Sequence, residues 1–214
     1  MRKGAFASYR AESASDAQVI TRSEAVTAVL SQLTTTDLVI STTGMTSREV
    51  FAYRARRGEG HGRDFLTVGS MGHCSQIALG VAEQRPGRQV FCLDGDGSVI
   101  MHMGGLAIIG ARKPTNLKHI VVNNGVHDSV GGQPTAGRDI DFPGIALACG
   151  YRQAESIDSI EDVPAAMERL RGSDGPAMLE LRVGSRAMTE SGRPTKSPLQ
   201  NKVDFMAGLR NAPD

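Results

Sequence analysis

The chain has 214 residues, enough for one domain with a sizeable core. Its 24 Lys and Arg stand against 23 Asp and Glu, and a formal charge of +1 gives no general attraction for nucleic acid. No apolar run reaches the length of a membrane span, and the polar start, Met1-Arg-Lys-Gly-Ala-Phe-Ala-Ser8, lacks a signal-peptide core, so a cytoplasmic protein is expected.

Residues 1–20 are polar and aperiodic and read as an arm or linker, with one domain expected over 21–214. Thr21-Arg-Ser-Glu24 has the form of a capping box, and Ala25, Val26, Val29, Leu30 and Leu33 recur on one face, which predicts a first helix. A short β-rich run, Asp37 to Ser41, follows. Thr42-Thr43-Gly44-Met45-Thr46 then forms a turn of small hydroxyl residues and a glycine, suited to an anion or simply joining a strand to a helix, with Thr46 and Glu49 as a second capping box.

Arg54 to Arg63 is a loop dense in Arg, Gly and His. Phe65 to Val68 reads as a strand, and Gly69-Ser-Met71-Gly72 turns into a helix carrying Ile77, Leu79, Val81 and Ala82. Gln89 to Asp94 is a buried strand, so Gly95-Asp96-Gly97 falls at its carboxyl end, where open α/β sheets bind ligands. Glycines on both sides of Asp96 allow close backbone approach to an anion, Ser98 is placed to cap the next helix, and Asp96 is a hard oxygen ligand beside a phosphate. That helix is expected to run to Arg112, with His102 packed inside it, and to stop at Lys113-Pro114.

A second apolar run, His119 to Val122, ends in Asn123-Asn124, where a side-chain carbonyl can complete the coordination of a magnesium ion that also holds diphosphate oxygens. Beyond it, Ala146 to Gly150 closes a short helix and Tyr151 to Ala154 is a minor strand. Asp158 to Glu161 opens a helix that stops at Gly172, Ala177 to Val183 is the last strand, and Phe205 and Leu209 mark an apolar turn. Strand and helix alternate without hairpin signals. That order indicates α/β architecture, a single three-layer domain with a parallel sheet covered by helices on both faces. Cys74, Cys92 and Cys149 show no metal-type spacing and read as reduced core thiols.

Gly97 is followed by 25 residues and then by Asn-Asn, each motif ending its own strand. This pairing resembles the thiamine diphosphate binding motif of the thiamine-dependent decarboxylase and synthase superfamily. The resemblance implies a thiamine diphosphate-binding fold, with Asp96 and Asn124 as Mg2+ ligands and Val126 giving a backbone carbonyl. It places Ser98 and the Gly95–Gly97 turn on the diphosphate. Asn123 is the alternative to Asn124. Met71 reads from the residues alone as core packing, but the resemblance makes it the apolar wedge that bends the cofactor, with the Gly69 backbone meeting the pyrimidine amino group.

Four segments, Ser41 to Glu49, His61 to His73, Asn123 to Thr135 and Gly192 to Thr195, are together similar to the phosphonopyruvate decarboxylases. The implied reaction converts 3-phosphonopyruvate to phosphonoacetaldehyde and carbon dioxide. Sulfopyruvate decarboxylases, close relatives with a similar substrate shape, are the alternative, as is a cofactor-binding subunit without activity of its own. Longer members begin with a domain that supplies a glutamate to the cofactor's pyrimidine. Glu12, Glu24 and Glu49 sit in an arm and in helix caps and are not its replacement, so the resemblance implies a β subunit that needs an α partner, in a hetero-oligomer. His127 and Asp128 are the catalytic candidates: His127 handles protons or meets the substrate carboxylate, or else merely braces the turn. Arg54, Arg63 and the late cations Arg186, Arg193, Lys196 and Lys202 are candidates for the acid group, or a solvated surface. A nucleotide-binding reading is disfavoured because no Gly-x-Gly-x-x-Gly follows the first strand.

Overall fold

The computed structural model describes residues 20–184 and 192–211, so the arm, apart from Ile20, lies outside the described residues, as do Glu12 and Arg186. The first helix, α1 (Arg22–Ser31), starts as the sequence predicts: Thr21 and Glu24 form a reciprocal capping box, and Ala25, Val26, Val29 and Leu30 are buried. β1 (Leu38–Ser41), α2 (Met45–Arg56), β2 (Asp64–Leu66), α3 (Cys74–Gln84) and β3 (Val90–Gly95) follow. After them come α4 (Asp96–Met101), α5 (Gly104–Arg112), β4 (Leu117–Asn123), the short β5 (Val126–His127) and β6 (Gln133–Pro134), and α6 (Phe142–Ala148). β7 (Gln153–Ile157), α7 (Val163–Gly172), β8 (Ala177–Arg182) and α8 (Pro198–Asn211) complete the order.

Six strands form one parallel sheet in the order β2-β1-β3-β4-β8-β7. Because side chains alternate along a strand, each strand feeds two cores. Val39, Phe91, Leu93, Ile120, Val122 and Leu179 meet α1, α2 and α7 on one face. Leu38, Ile40, Cys92, Val121 and Met178 meet α3, α5, α6 and α8 on the other. Burial on both faces explains why these strands read as continuous apolar runs. Each fully buried Val, Leu or Ile is worth about 1.5–3 kcal/mol. Cys74 and Cys92 are buried and free, with their sulfurs 3.6 Å apart, and Cys149 is half-buried and free. No helix among the described residues is long and apolar enough to cross a membrane.

Several local expectations give way to tertiary contacts. Thr46 and Glu49 form no capping box: the N-cap of α2 is Gly44, at φ 101°, with no side-chain cap, and Glu49 is buried against Arg22 instead. Ser98 does not cap a helix either, since α4 starts at Asp96 and encloses it. The expected long helix to Arg112 breaks at His102, whose φ of −136° leaves the helical region just before Gly104-Gly105, and resumes as α5. Lys113, in the left-handed region at φ 53°, ends it before Pro114 as expected. The strand expected at Tyr151 begins at Gln153, and α7 begins at Val163 rather than at Asp158. β5 and β6 pair antiparallel, a small hairpin the sequence did not signal. The apolar turn around Phe205 is a 14-residue helix, α8.

α8 docks on the edge of the sheet at β2. Asn201 accepts from the Leu66 amide at 2.9 Å and donates to the Asp64 carbonyl at 3.0 Å, taking the place of a neighbouring strand. Phe205 packs edge-on against Phe65 with ring centroids 5.5 Å apart.

Candidate functional site

From β1 the chain crosses one face of the sheet to reach β2 on one side, and from β3 it crosses the other face to reach β4 on the opposite side. Their carboxyl ends therefore diverge, leaving the kind of crevice in which open α/β sheets hold ligands. A cleft lies there. Thr42 and Thr43 enter it after β1, Met71 after β2, Gly95 to Ser98 at the end of β3, and Asn124 and Val126 to Ser129 after β4.

Ser98 ties three of these turns together. Its hydroxyl oxygen accepts from the Thr42 hydroxyl and from the Gly72 amide, both at 3.0 Å, which leaves its own proton to donate. The Gly69 amide donates to the Thr43 hydroxyl at 3.2 Å, joining the turns after β1 and β2. Gly69, Ser70 and Gly72 all have positive φ, so the turn that presents Met71 is a sequence of left-handed residues with glycine at two of them.

Asp96 is buried, 2% exposed, and burial pushes its carboxyl above the usual range. Hydrogen bonds from the Thr135 hydroxyl and from backbone amides, including those of Gly97 and Asn124, act the other way without cancelling it. A desolvated carboxylate with a surplus cost of charge is a good partner for a cation. Asn124 is the nearby amide: its Nδ2 donates to Asp128 at 2.8 Å and its Oδ1 accepts from the Val126 amide at 3.2 Å, with a second lone pair on that oxygen still open. Asp96, Asn124 and the backbone of Val126 line one cleft, and their hard oxygens suit Mg2+.

Asn123 is different. It is fully buried, its Nδ2 donates to the Gly137 carbonyl and to Glu180, both at 2.7 Å, and its Oδ1 accepts from the Gly125 amide at 3.1 Å. Strand alternation turns it away from the cleft that Asn124 lines.

His127 rests on Gly97 so closely that a β-carbon there would stand 2.6 Å from its Cε1. Asp128 pairs with Arg22, which Glu49 holds at 3.1 Å from behind. Its carboxylate is thus shared between a guanidinium and the Asn124 amide. Gly44 and Gly69 do not line the cleft themselves: Gly44 is the N-cap of α2 at φ 101°, where an added β-carbon would meet Ser129 at 3.4 Å, and Gly69 bonds Thr43. His102 is exposed and tilts against His73, with ring centroids 4.1 Å apart.

Two candidate cations are at the wrong end. Arg54 pairs with Asp64, the first residue of β2, at 3.1 Å, and Arg63 pairs with Glu59 at 3.3 Å, whereas the cleft lies past the last residues of the strands. Lys202 is exposed on α8. Sequence reasoning missed Arg22, hidden inside the capping-box pattern, and Thr135, whose hydroxyl reaches Asp96 from a loop without periodicity.

The model of the thiamine pyrophosphate enzyme C-terminal TPP binding domain matches residues 42–181. The chain is 39% identical to a phosphonopyruvate decarboxylase of Streptomyces viridochromogenes over 90% of its own length and 47% of that protein. It is 33% identical to the sulfopyruvate decarboxylase subunit beta of Methanothermobacter thermautotrophicus over 75% of its length and 78% of that subunit. The chain thus spans about half the length of the first relative and most of the second. A solved thiamine diphosphate-dependent 4-hydroxybenzoylformate decarboxylase of Rhodococcus jostii superposes with a TM-score of 0.63 at 19% identity, covering 82% of this chain and 35% of that one, a likeness of fold.

Proposed function

The chain belongs to the thiamine pyrophosphate enzymes, of which it carries the C-terminal TPP binding domain, and on that premise we propose that it is the diphosphate-binding β subunit of a two-chain 2-oxo acid decarboxylase. The reaction is the conversion of 3-phosphonopyruvate to phosphonoacetaldehyde and carbon dioxide. The observation that carries this reading is the convergence of Asp96, Asn124, Val126 and the Gly95–Ser98 turn on one cleft at the strand ends. Likeness to phosphonopyruvate decarboxylases supports the substrate, and likeness to subunits named beta supports the α partner.

In this reading the Asp96 carboxylate, Asn124 Oδ1 and the Val126 carbonyl hold Mg2+, and the Gly95–Gly97 backbone with Ser98 and Thr43 takes the diphosphate oxygens. Met71, which lines the cleft, would pack against the bound cofactor, and the Gly69 backbone and the partner's glutamate-bearing domain would hold its pyrimidine. When bound, thiamine diphosphate supplies the electron sink for the pair released as carbon dioxide leaves. His127, held over Gly97, meets the substrate carboxylate or returns a proton to the product carbon. Asp128 keeps Asn124 and Arg22 in place.

The test is to produce the chain with an α-type partner, supply magnesium and thiamine diphosphate, and assay phosphonopyruvate and sulfopyruvate side by side. Faster turnover of phosphonopyruvate by the pair, with little by the lone chain, is expected. Full activity of the lone chain overturns the two-chain reading, and preference for sulfopyruvate reassigns the substrate. Asp96→Ala should abolish metal-dependent cofactor binding, while Met71→Ala should still bind and turn over slowly. Normal cofactor binding by Asp96→Ala removes the central assignment.

A further inference from the structure

Thr43 faces two spaces. On one side is the cleft just described, and on the other a groove of about 320 Å³ bounded by the first turn of α2, the end of β2 and the segment leading into α8. Among the described residues, three cations border this groove, Arg48, Arg193 and Lys196, and no carboxylate does. Lys196 is paired with Asp204, whereas among the described residues neither Arg48 nor Arg193 has an ion-pair partner. The hydroxyls of Ser47 and Thr67 already donate to the carbonyls of Thr42 and Ser41, at 2.6 and 2.9 Å. Anion binding in the groove therefore falls to the two guanidinium groups.

The place of these arginines is set by the fold. α8 is tied to β2 through both ends of the Asn201 amide, which holds the Arg193 segment against the end of that strand. Arg48 comes from the opposite wall, one turn into α2. The groove opens beside Thr43 and hence beside the turn that carries Gly69 and Met71. Two planar forks bordering one groove suit a tetrahedral oxyanion, which offers several oxygens for paired hydrogen bonds.

We propose that this groove seats the terminal oxyanion of the substrate, with Arg48 and Arg193 as its specificity-determining residues. This rests on the decarboxylase reading above. It leaves Arg54 and Arg63 without a part in substrate binding.

Two measurements test it. With the assembled two-chain enzyme, Arg48→Met and Arg193→Met should each lower kcat/KM for phosphonopyruvate roughly 10- to 100-fold, mostly through KM, as loss of a charge-assisted hydrogen bond predicts. The loss for pyruvate, which lacks the oxyanion, should be at least tenfold smaller, and comparison with sulfopyruvate separates the two acid groups. Equal losses for pyruvate and phosphonopyruvate, or no loss, overturn the proposal. Separately, calorimetric titration of methylphosphonate into the β chain should show binding that both variants weaken at least tenfold at unchanged Tm. If the wild-type enzyme turns over no 2-oxo acid but this binding is present and arginine-dependent, the decarboxylase reading fails and the anion groove stands. If the enzyme is active and the variants bind methylphosphonate like the wild type, the groove fails alone.

Discussion

Asn124 Nδ2 donates to Asp128 Oδ2 at 2.8 Å, across the turn that leaves β4. With Oδ1 accepting from the Val126 amide, the side-chain amide cannot flip without losing both bonds, and its oxygen stays on the side of the cleft. Arg22 and Glu49 anchor Asp128 in turn. Partners of this sort behind a metal ligand typically contribute 10–100-fold to affinity. Asp128→Ala should therefore weaken Mg2+-dependent binding of thiamine diphosphate about 10- to 100-fold, with a smaller loss in Asp128→Asn, which retains an acceptor. Magnesium titrations at fixed cofactor read this directly. Complete loss of turnover in Asp128→Asn with unchanged magnesium affinity would make Asp128 a proton donor instead.

The two adjacent asparagines should separate cleanly. Asn123 is enclosed by the Gly137 carbonyl, Glu180 and the Gly125 amide. Asn123→Ala strands buried polar groups, so it should cost on the order of 3 kcal/mol in denaturant unfolding. Asn124→Ala should leave the unfolding midpoint nearly unchanged and remove the metal dependence of cofactor binding. The reverse pattern would give Asn123 the metal.

Gly97→Ala tests the contact with His127. The new β-carbon would stand 2.6 Å from His127 Cε1 and 2.8 Å from Nδ1, closer than real side chains approach, so the imidazole must swing away. Backbone strain is not at issue, since Gly97 lies inside α4. Turnover should fall about as far as in His127→Ala, and the double variant should be no worse than either single one, the signature of two residues acting as a unit. Additive losses would mean that Gly97 and His127 act independently.

How much of this was legible depends on how far apart the cooperating residues lie. Asp96 and Asn124 each follow an apolar run, and a strand end is where a parallel sheet presents its loops, so local pattern reached them. Arg22 and Asp128 are 106 residues apart, and no period links them. Thr46 and Glu49 matched a capping box, but Arg22 lies within reach of Glu49, and a buried ion pair overrides the local option. α8 was obscured differently. Phe205 and Leu209 are buried at helical spacing, but Leu199, Val203 and Met206 are exposed on the same helix and blur its apolar face.

Lys118 gives a prediction about pH that is independent of the cleft. It is the second residue of β4, at the end of the strand away from Asn124, and its stem is buried. Its ammonium donates to the Ser173 carbonyl, and burial is the main reason its pKa falls from 10.5 to about 8. A lowered lysine binds its proton more tightly in the unfolded chain. Below about pH 8 both states are protonated and the full cost of the buried charge stands, and from there to about 10.5 the unfolded chain carries more protons, so stability rises with pH. Lys118→Met removes this titration while keeping the stem. The unfolding free energy of the wild type minus that of Lys118→Met should be flat between pH 7 and 8 and should climb from 8 to 10 in urea titrations, with magnesium-dependent cofactor binding alike in both. A difference that stays constant to pH 10 would mean that the ammonium is solvated and keeps its ordinary pKa.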